Sequence, residues 1–385
     1  MTGGRFRSKT VEDFLNNFTS SSTIRGYRCH LKAFFEVIGK DPEKYIIDVR
    51  RLDYNDRLDV LEGYEKDVNK FWKWMIREKF APKTVSNGTN CIRIFLKQYR
   101  IRLDDMVWEN IRRRGTGNRP VTQEIPITKE MLKEILIHGD AKAKAMFLML
   151  ASGGMRIGEL VKQDMNDVDT NLKPTKVIIR YEGPDSVKTK SSRVTFISDE
   201  ATVALKEWLK QRDSSLELAV KRTNFPNVEK KLENNYVFPF QTNNVRNIWN
   251  GLIEKAGYNQ KDRRTGRYLV HVHLLRKYFR TRFSRHNRDI AEVLMGHEGY
   301  CGGAYAKYTE EELKDEYLKG MNHLLVFETS INSEELKNLQ KEFEENKKKL
   351  EDANRKIDLI SKDLYNNPDL KTMILNTIAE YAKKE

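Results

Sequence analysis

The sequence has few cysteines and no long apolar run. Its 385 residues include only Cys29, Cys91 and Cys301, which lie far apart and form no CxxC pair. This usage excludes a disulfide framework and is typical of a protein in a reducing cytosol. No apolar stretch approaches the ~20 residues that a membrane-spanning helix needs, and the N-terminus shows no signal-peptide pattern. We therefore expect a cytoplasmic protein that does not associate with a membrane.

Negative charge is also in short supply relative to positive charge. Seventy Lys and Arg residues face 56 Asp and Glu, which gives a formal net charge of +14. More than half of this excess precedes residue 127, where 25 basic residues face 17 acidic ones. Such a balance favours a polyanionic partner, because each phosphate that Lys or Arg neutralises releases condensed counterions. Nucleic acid is the partner that we expect.

The chain is too long for one core of ordinary size, so two domains and an appendage are expected. Residues 8–111 have the periodicity of a helical domain. Residues 112–126 contain two glycines, two prolines and four arginines, a composition typical of an extended basic linker. Residues 127–328 read as a second, mixed domain, and residues 333–385 as a helical tail.

Basic residues of the first domain and the linker are candidates for DNA contacts. In T-I-R-G-Y-R-C-H-L-K-A-F-F, which starts at Thr23, the apolar residues lie on one helical stripe and the basic residues on another. The aromatic residues are expected in the core, whereas the opposite face is free to follow a DNA backbone. Two domains joined by a basic linker would close round a duplex. The candidate DNA-binding residues are Arg25, Arg28, Lys32, Arg112, Arg113, Arg114 and Arg119.

The second domain combines helices with a small β-hairpin, so the fold class is mainly α. An apolar helix breaks at Gly153, and M-R-I-G-E-L then presents Arg156 at a helix N-terminus, where N–H groups also face any anion. Glu159, one turn later, can hold the guanidinium. Two strand-like runs, T-K-V-I-I-R-Y and S-R-V-T-F-I-S, flank a turn-rich loop that carries Lys188 and Lys190.

Polar residues cluster in the stretch from His271 to Tyr308. His273 and Arg276 share a helical face in H-V-H-L-L-R-K-Y, and His297 follows the glycine that stops the helix D-I-A-E-V-L-M. With Arg156, these donors would surround one phosphate. A zinc site that includes His271 and Cys301 is an alternative, but it lacks the usual C-x-x-C or H-E-x-x-H spacing, so we expect no metal.

These motifs, in this order, resemble those of the tyrosine recombinases, which include the phage-type integrases and their Xer-like relatives. The resemblance rests on R-I-G-E-L, a hairpin lysine, H-L-L-R, L-M-G-H and a following tyrosine. It covers about residues 8 to 325, because the first domain resembles the core-binding domain of the family. The resemblance implies a family of archaeal or bacterial mobile elements. The matching catalytic residues are Arg156, Lys190, His273, Arg276, His297 and Tyr305, with Glu159 in support.

The resemblance also implies a role for each residue. Tyr305 would attack the scissile phosphate and form a 3′-phosphotyrosine, and Lys190 would protonate the departing 5′ oxygen. The arginines and histidines would hold the charge of the transition state, so neither a metal ion nor ATP is implied. Tyr308 is the alternative nucleophile, since the spacing from His297 to Tyr305 is one residue shorter than in most members. Lys188 is the alternative general acid.

A site-specific recombinase or integrase, active as a tetramer on two duplexes at the nucleoid, is the expected function. The resemblance implies no cofactor, and it adds accessory DNA-bending or directionality factors as partners. A topoisomerase of type IB, which shares the phosphate chemistry, is one alternative. A DNA-binding protein without catalysis is the other.

The sequence does not determine which surfaces two C-terminal segments pack against. The segment 309–325 carries more apolar residues than a free surface helix needs, and it either packs in its own chain or, as the resemblance implies, docks on a neighbouring protomer. In the tail, Leu336, Phe343, Leu350, Ile357 and Leu364 recur every seven residues, a period typical of a coiled-coil seam. We expect the tail to self-associate or to pack along the second domain.

Overall fold

The computed structural model divides the chain into two units, Met1–Val326 and Phe327–Glu385. It describes residues 8–115, 122–181, 183, 191–221, 235–297, 308–327 and 345–359, together with 368–369, 372–373 and 375–376. The unit that contains the candidate site is the first.

The first third of the described chain is a bundle of helices around an aromatic core. Phe14, Phe34, Phe71 and Phe95 are at most 1% exposed and pack edge to face with neighbouring rings, a geometry that aromatic quadrupoles favour. Gly39 ends the second helix in the left-handed conformation, with φ of 74°. The helices are α1 (Lys9–Leu15), α2 (Ser21–Ile38), α3 (Pro42–Tyr45), α4 (Tyr54–Arg77), α5 (Pro82–Gln98) and α6 (Asp105–Arg113).

The remainder of the first unit surrounds an apolar helix. Its helices are α7 (Lys129–Ile137), α8 (Ala141–Gly153), α9 (Ile157–Leu160), α10 (Asp199–Lys221), α11 (Thr242–Lys255), α12 (Leu274–Phe283), α13 (Arg288–Met295) and α14 (Glu310–Gly320). Three antiparallel strands, β1 (Val168–Asp169), β2 (Thr175–Ile179) and β3 (Arg193–Ile197), pair in the order β1-β2-β3. Short 3-10 turns lie at Val49–Arg51, Met165–Asp167 and Met321–Leu324.

Helix α8 is central because it is apolar on every side. Its residues from Ala145 to Gly153 are all buried, and α10, α12 and β3 pack against it. A helix without a polar face is stable only when its neighbours cover it. The C-terminal end of α8 is therefore held deep in the domain, directly before Arg156.

Helix α14 packs within its own chain. Leu313, Tyr317 and Leu324 are buried against Phe283 and β3, and the hydroxyl of Tyr317 donates to the carbonyl oxygen of Ser152 at 2.9 Å. Of the two partners that the sequence leaves open for this segment, the structure shows packing in cis.

The second unit is described mainly by a helix at residues 345–359. The seam residues Leu350 and Ile357 on this helix are 64% and 62% exposed. Leu336, Phe343 and Leu364 lie outside the described residues. No helix in the described parts of either unit is long and apolar enough to cross a membrane.

The expected fold class, mainly α with a small β-sheet, is confirmed. Two local features differ from expectation. The sheet has a third strand, β1, which is too short to give a period-2 signal. Helix α6 continues through Arg113, into the stretch read as linker.

Replacing Tyr317 by alanine tests the packing of α14. We expect Tyr317→Ala to lower the free energy of unfolding by about 3–5 kcal/mol, because it empties a fully buried site. Leu318→Ala, at a neighbouring position that is 40% exposed, should cost less than about 1 kcal/mol. Urea denaturation followed by circular dichroism measures both. Equal losses would contradict the packing described here.

Candidate active site

Arg276 is the most deeply buried cation of the site. Its side chain projects from α12 and is 4% exposed, so its N–H groups need partners inside the protein. Nη1 donates to the carbonyl oxygen of Gly154, and Nη2 donates to that of Met295 at 2.8 Å. Arg276 thus joins the end of α8 to the end of α13. Two of its five N–H donors are engaged in this way.

Gly154 allows the turn before Arg156 to touch α12. It has φ of 61°, and a Cβ atom there would lie 2.4 Å from a ring carbon of Phe279. Only glycine combines this left-handed backbone with so close an approach. The turn therefore delivers Arg156 to the N-terminus of α9, as the sequence predicts.

Glu159 is a buried carboxylate shared by two arginines. Its Oε1 accepts from Arg156 Nη1 at 2.8 Å, and its Oε2 accepts from Arg193 Nη2 at 2.7 Å. Arg193, the first residue of β3, also donates Nε to the carbonyl oxygen of Leu294 at 3.0 Å. The pairing of Arg156 with Glu159 is confirmed. Arg193 adds a link from this pair to α13.

Burial and like charge both act on the arginines. Burial, and then the charge of Arg156, lower the pKa of Arg276 to about 9. Arg276 is therefore charged at neutral pH and is repelled by the guanidinium of Arg156, so an anion that contacts both is favoured. Burial alone would raise the pKa of Glu159, but hydrogen bonds from Arg193 and Arg156 hold it below its ordinary value.

His297 is held by a carboxylate of α13, the helix that precedes it. Gly296 ends α13 in the left-handed conformation, with φ of 70°, and His297 Nδ1 then meets the Oε2 atom of Glu292. The other oxygen of Glu292 accepts from Arg280, and the Glu292 side chain is only 2% exposed. A carboxylate on Nδ1 orients the ring and leaves Nε2 for a ligand.

His273 lies at the N-cap position of α12, three residues before Arg276. Partial desolvation, followed by electrostatic interactions with His271, Lys277 and Arg276, lowers its pKa below the ordinary value. The ring is therefore neutral at pH 7 and carries one N–H donor. His271 lies parallel to it, with ring centroids 6.4 Å apart.

Several candidate residues lie outside the described part of the chain. They are Lys188, Lys190, Tyr305, Arg119 and Cys301. Tyr308 is described; it is 37% exposed and precedes Thr309, which caps α14. The choices between Tyr305 and Tyr308, and between Lys190 and Lys188, therefore stay predictions.

The assembled donors suit an oxyanion better than a metal. Arg276 couples electrostatically to Arg156, and it bonds to the carbonyl two residues before His297. Guanidinium and imidazole donors held in this way match the oxygens of a phosphate. Within the described residues, no three His, Cys, Asp or Glu side chains form a possible metal site; Cys301 is not among them.

A family model matches the part of the chain that holds these residues. The model of the phage integrase family matches residues 127–310. Residues 127–310 belong to the phage integrase family. This domain contains Arg156, Glu159, His273, Arg276 and His297, and the match confirms the resemblance that their motifs carry.

Relatives and solved structures extend the likeness along most of the chain. A tyrosine recombinase XerC of Leptospira interrogans is 22% identical over an alignment of 335 positions, and the match covers 82% of this chain and 94% of the relative. The integrase of transposon Tn1549, bound to transposon right end DNA, has a TM-score of 0.50 at 16% identity and covers 81% of this chain and 98% of its own. A lambda integrase tetramer bound to a Holliday junction has a TM-score of 0.47 at 12% identity, with 80% of this chain and 86% of that one covered.

The predicted DNA-contacting residues of the first domain and of α6 lie on the surface. Arg25 is exposed on α2, and Arg112, Arg113 and Arg114 are exposed at the end of α6. Two others on α2 have acidic partners: Arg28 pairs with Glu12 at 2.7 Å and Lys32 with Glu36 at 3.8 Å. Exposed pairs of this kind contribute little stability.

The sequence analysis missed two residues that the structure places in the site. Arg193 begins β3, where the other residues are apolar or hydroxylic, and Glu292 interrupts the apolar helix before L-M-G-H. A charged residue inside an apolar pattern is weak evidence for a site residue, because the sequence does not show which distant residue is its partner. Arg193 meets Glu159 across 34 positions and Leu294 across 101, so only the fold reveals these pairs.

Removing Arg193 tests the buried ion pair. We expect Arg193→Gln to lower the free energy of unfolding by about 3 kcal/mol, because Glu159 stays buried with one partner fewer. The ionised carboxylate of folded Glu159 stabilises the protein above the ordinary pKa of 4.5. That contribution is lost as the pH falls through the lower pKa of the folded state, so the difference from wild type should shrink below pH 4.5.

Urea denaturation at pH 7 and at pH 3.5 measures the effect. Arg246→Gln, at an exposed position of α11, is the matched control and should change the free energy of unfolding by less than about 0.5 kcal/mol. A constant difference between Arg193→Gln and wild type at both pH values would contradict a role for Glu159 ionisation.

Proposed function

We propose that the chain is a site-specific DNA recombinase that cuts and rejoins DNA through a 3′-phosphotyrosine. One observation carries this proposal: within a phage integrase domain, Arg276 is fixed by the carbonyls of the two turns that present Arg156 and His297. Donors held in this way are ready to stabilise the charge that develops on a phosphate under attack. The reaction needs no ATP, because the phosphodiester energy is kept in the covalent intermediate, and it needs no metal ion, because the arginines and histidines supply the donors to the phosphate.

Each candidate residue has a proposed role. Tyr305 loses its phenolic proton to solvent, attacks the phosphorus and displaces the 5′ oxygen, which takes a proton from Lys190. Arg156 and Arg276 bind the non-bridging oxygens as bidentate donors. The reverse reaction with the 5′ hydroxyl of another strand regenerates Tyr305 and completes the exchange. His273 and His297 contribute one further donor each.

The partner is double-stranded DNA carrying a recombination site. Residues 8–111 and the catalytic domain at 127–328 would contact the duplex from two sides, joined by the linker at 112–126. Exposed arginines at the end of α6 continue into this linker and support a path along phosphates. Relatives whose structures hold DNA include a dimer and a tetramer of lambda integrase, and a tetramer on two duplexes is proposed here.

The proposal also includes the cellular location of the protein and its assembly. The chain would act in the cytoplasm, at the nucleoid, with accessory DNA-bending or directionality factors on the same DNA. The tail at 333–385 would contribute to self-association, a role supported by the exposure of Leu350 and Ile357 on its described helix.

The nucleophile is tested by trapping the covalent intermediate on nicked DNA. A nick near the cleavage position lets the short fragment with the freed 5′ hydroxyl diffuse away. The tyrosyl adduct therefore accumulates and is resolved by denaturing electrophoresis. We expect Tyr305→Phe to abolish the adduct, because it lacks the attacking oxygen, and Tyr308→Phe to retain it. The converse pattern would assign Tyr308.

Two further results, one from this experiment and one from an assay with two intact duplexes, separate the alternative functions. Absence of an adduct with wild type, at a DNA sequence that the protein binds, would indicate a DNA-binding protein without catalysis. Joint molecules from two duplexes distinguish strand exchange from the relaxation of supercoils by a type IB topoisomerase.

Glu292 is expected to act through His297. In Glu292→Gln, the amide can no longer accept from both His297 and Arg280, so the imidazole loses its fixed orientation. We expect the rate of adduct formation to fall about tenfold or more, with little change in the Kd for uncleaved DNA. Asp289→Asn, at an exposed position of the same helix, should leave the rate unchanged. A parallel fall in DNA affinity would contradict a positioning role.

A further inference from the structure

The C-terminal part of the basic linker is bonded to the segment that precedes the H-L-L-R motif. We call residues 122–125 the strap. Its Thr122 hydroxyl lies 3.1 Å from that of Thr265, and its Gln123 N–H donates to Asp262 Oδ2 at 3.3 Å. The N–H of Ile125 donates to the carbonyl oxygen of Leu269 at 3.2 Å. Three successive attachments thus lead the strap toward His271.

Glu124 places its carboxylate between two side chains that flank the motif. Oε1 lies 3.1 Å from His271 Nε2, and Oε2 pairs with Lys277 Nζ. Burial alone would raise the pKa of this carboxyl, but the hydrogen bonds from Lys277 and His271 hold it below its ordinary value. Glu124 is therefore ionised at neutral pH and binds both groups at once.

Both partners of Glu124 lie next to proposed catalytic residues. Lys277 directly follows Arg276 in α12, and His271 lies two positions before His273, with the two rings parallel within 6°. The carbonyl oxygen of His271 also accepts from the N–H of Leu274 at 2.9 Å, which fixes the first turn of α12. The carboxylate thus joins the strap to both sides of H-L-L-R.

We propose that Glu124 is a positioning residue through which the linker sets the geometry of His273 and Arg276. The linker connects the two regions that are proposed to contact DNA. Its attachment at Glu124 makes the alignment of catalytic donors depend on the path that the linker takes. Engagement of DNA by the first domain is thereby coupled to cleavage in the second. This inference rests on the proposed function, because cleavage is its readout.

The expected signature is a loss of rate without a comparable loss of stability. Glu124 is 27% exposed and Lys277 is 52% exposed, and ion pairs this close to solvent contribute little to folding. A displacement of reacting groups by a fraction of an ångström, in contrast, reduces the rate strongly. A contact with a merely structural role would change both quantities together.

The experiment compares Glu124→Gln, His271→Ala, the double variant and Gln123→Ala in the full chain. Glu124→Gln keeps the length of the side chain and removes its charge. Gln123→Ala is the matched control, because Gln123 contacts Asp262 through its backbone N–H, which alanine keeps. Single-turnover adduct formation on nicked DNA gives the rate, a mobility-shift titration gives the Kd, and thermal melting monitors folding.

We expect Glu124→Gln to lower the rate of adduct formation about tenfold, while Kd changes less than twofold and Tm stays within the range of the Gln123→Ala control. If Glu124 acts through His271, the double variant should be no slower than the slower single variant. If the fold-reduction in rate of the double variant equals the product of the two single reductions, Glu124 and His271 act independently. That result would contradict an action of Glu124 through His271.

The remaining outcomes separate this inference from the proposed function. Wild type that forms no adduct would refute the proposed function. Wild type that forms the adduct at the same rate as Glu124→Gln would refute only the positioning role. Parallel losses in rate, Kd and Tm would show that Glu124 is structural, which also overturns the inference.

Discussion

The buried guanidinium of Arg276 is the interaction on which the site depends. A charge in the protein interior is costly unless hydrogen bonds compensate for the water that it has lost. Arg276 obtains them from the carbonyl groups of Gly154 and Met295, each at or next to the C-terminal end of a helix, where carbonyl groups lack intrahelical partners. One side chain thus satisfies two helix ends and fixes their separation. These two hydrogen bonds therefore fix the positions of the turns that carry Arg156 and His297.

Carboxylates form a second layer behind the cations. Glu159 holds Arg156 and Arg193, Glu292 holds His297 and Arg280, and Glu124 holds Lys277 and His271. Each carboxylate has two partners, so its burial is compensated and each donor loses rotational freedom before any ligand arrives. A preorganised set of donors needs little rearrangement when charge develops on a substrate. Glu159 and Glu292 also offset the repulsion that Arg276 experiences from Arg156 and Arg193.

Sequence reasoning succeeded where the relevant information is local. The pairing of Arg156 with Glu159 follows from a spacing of three in a helical turn, and the fold class follows from periodicity. It failed for Arg193 and Glu124, whose partners lie 34 and 147 or more positions away. The packing of α14 in its own chain was also open, since an apolar stripe predicts burial without naming the surface that covers it. The position of the nucleophile relative to these groups is still a prediction for Tyr305.

Gly154 shows how a residue without a side chain governs chemistry that it does not perform. Because a Cβ atom there would overlap the ring of Phe279, any other amino acid separates the turn before Arg156 from the helix of Arg276. In a mutational scan this position would score like a catalytic residue, yet no chemical group would have been removed. Partial rescue by a smaller residue at position 279 would distinguish a steric role from a catalytic one, since it relieves the overlap and leaves only the strain of the left-handed backbone.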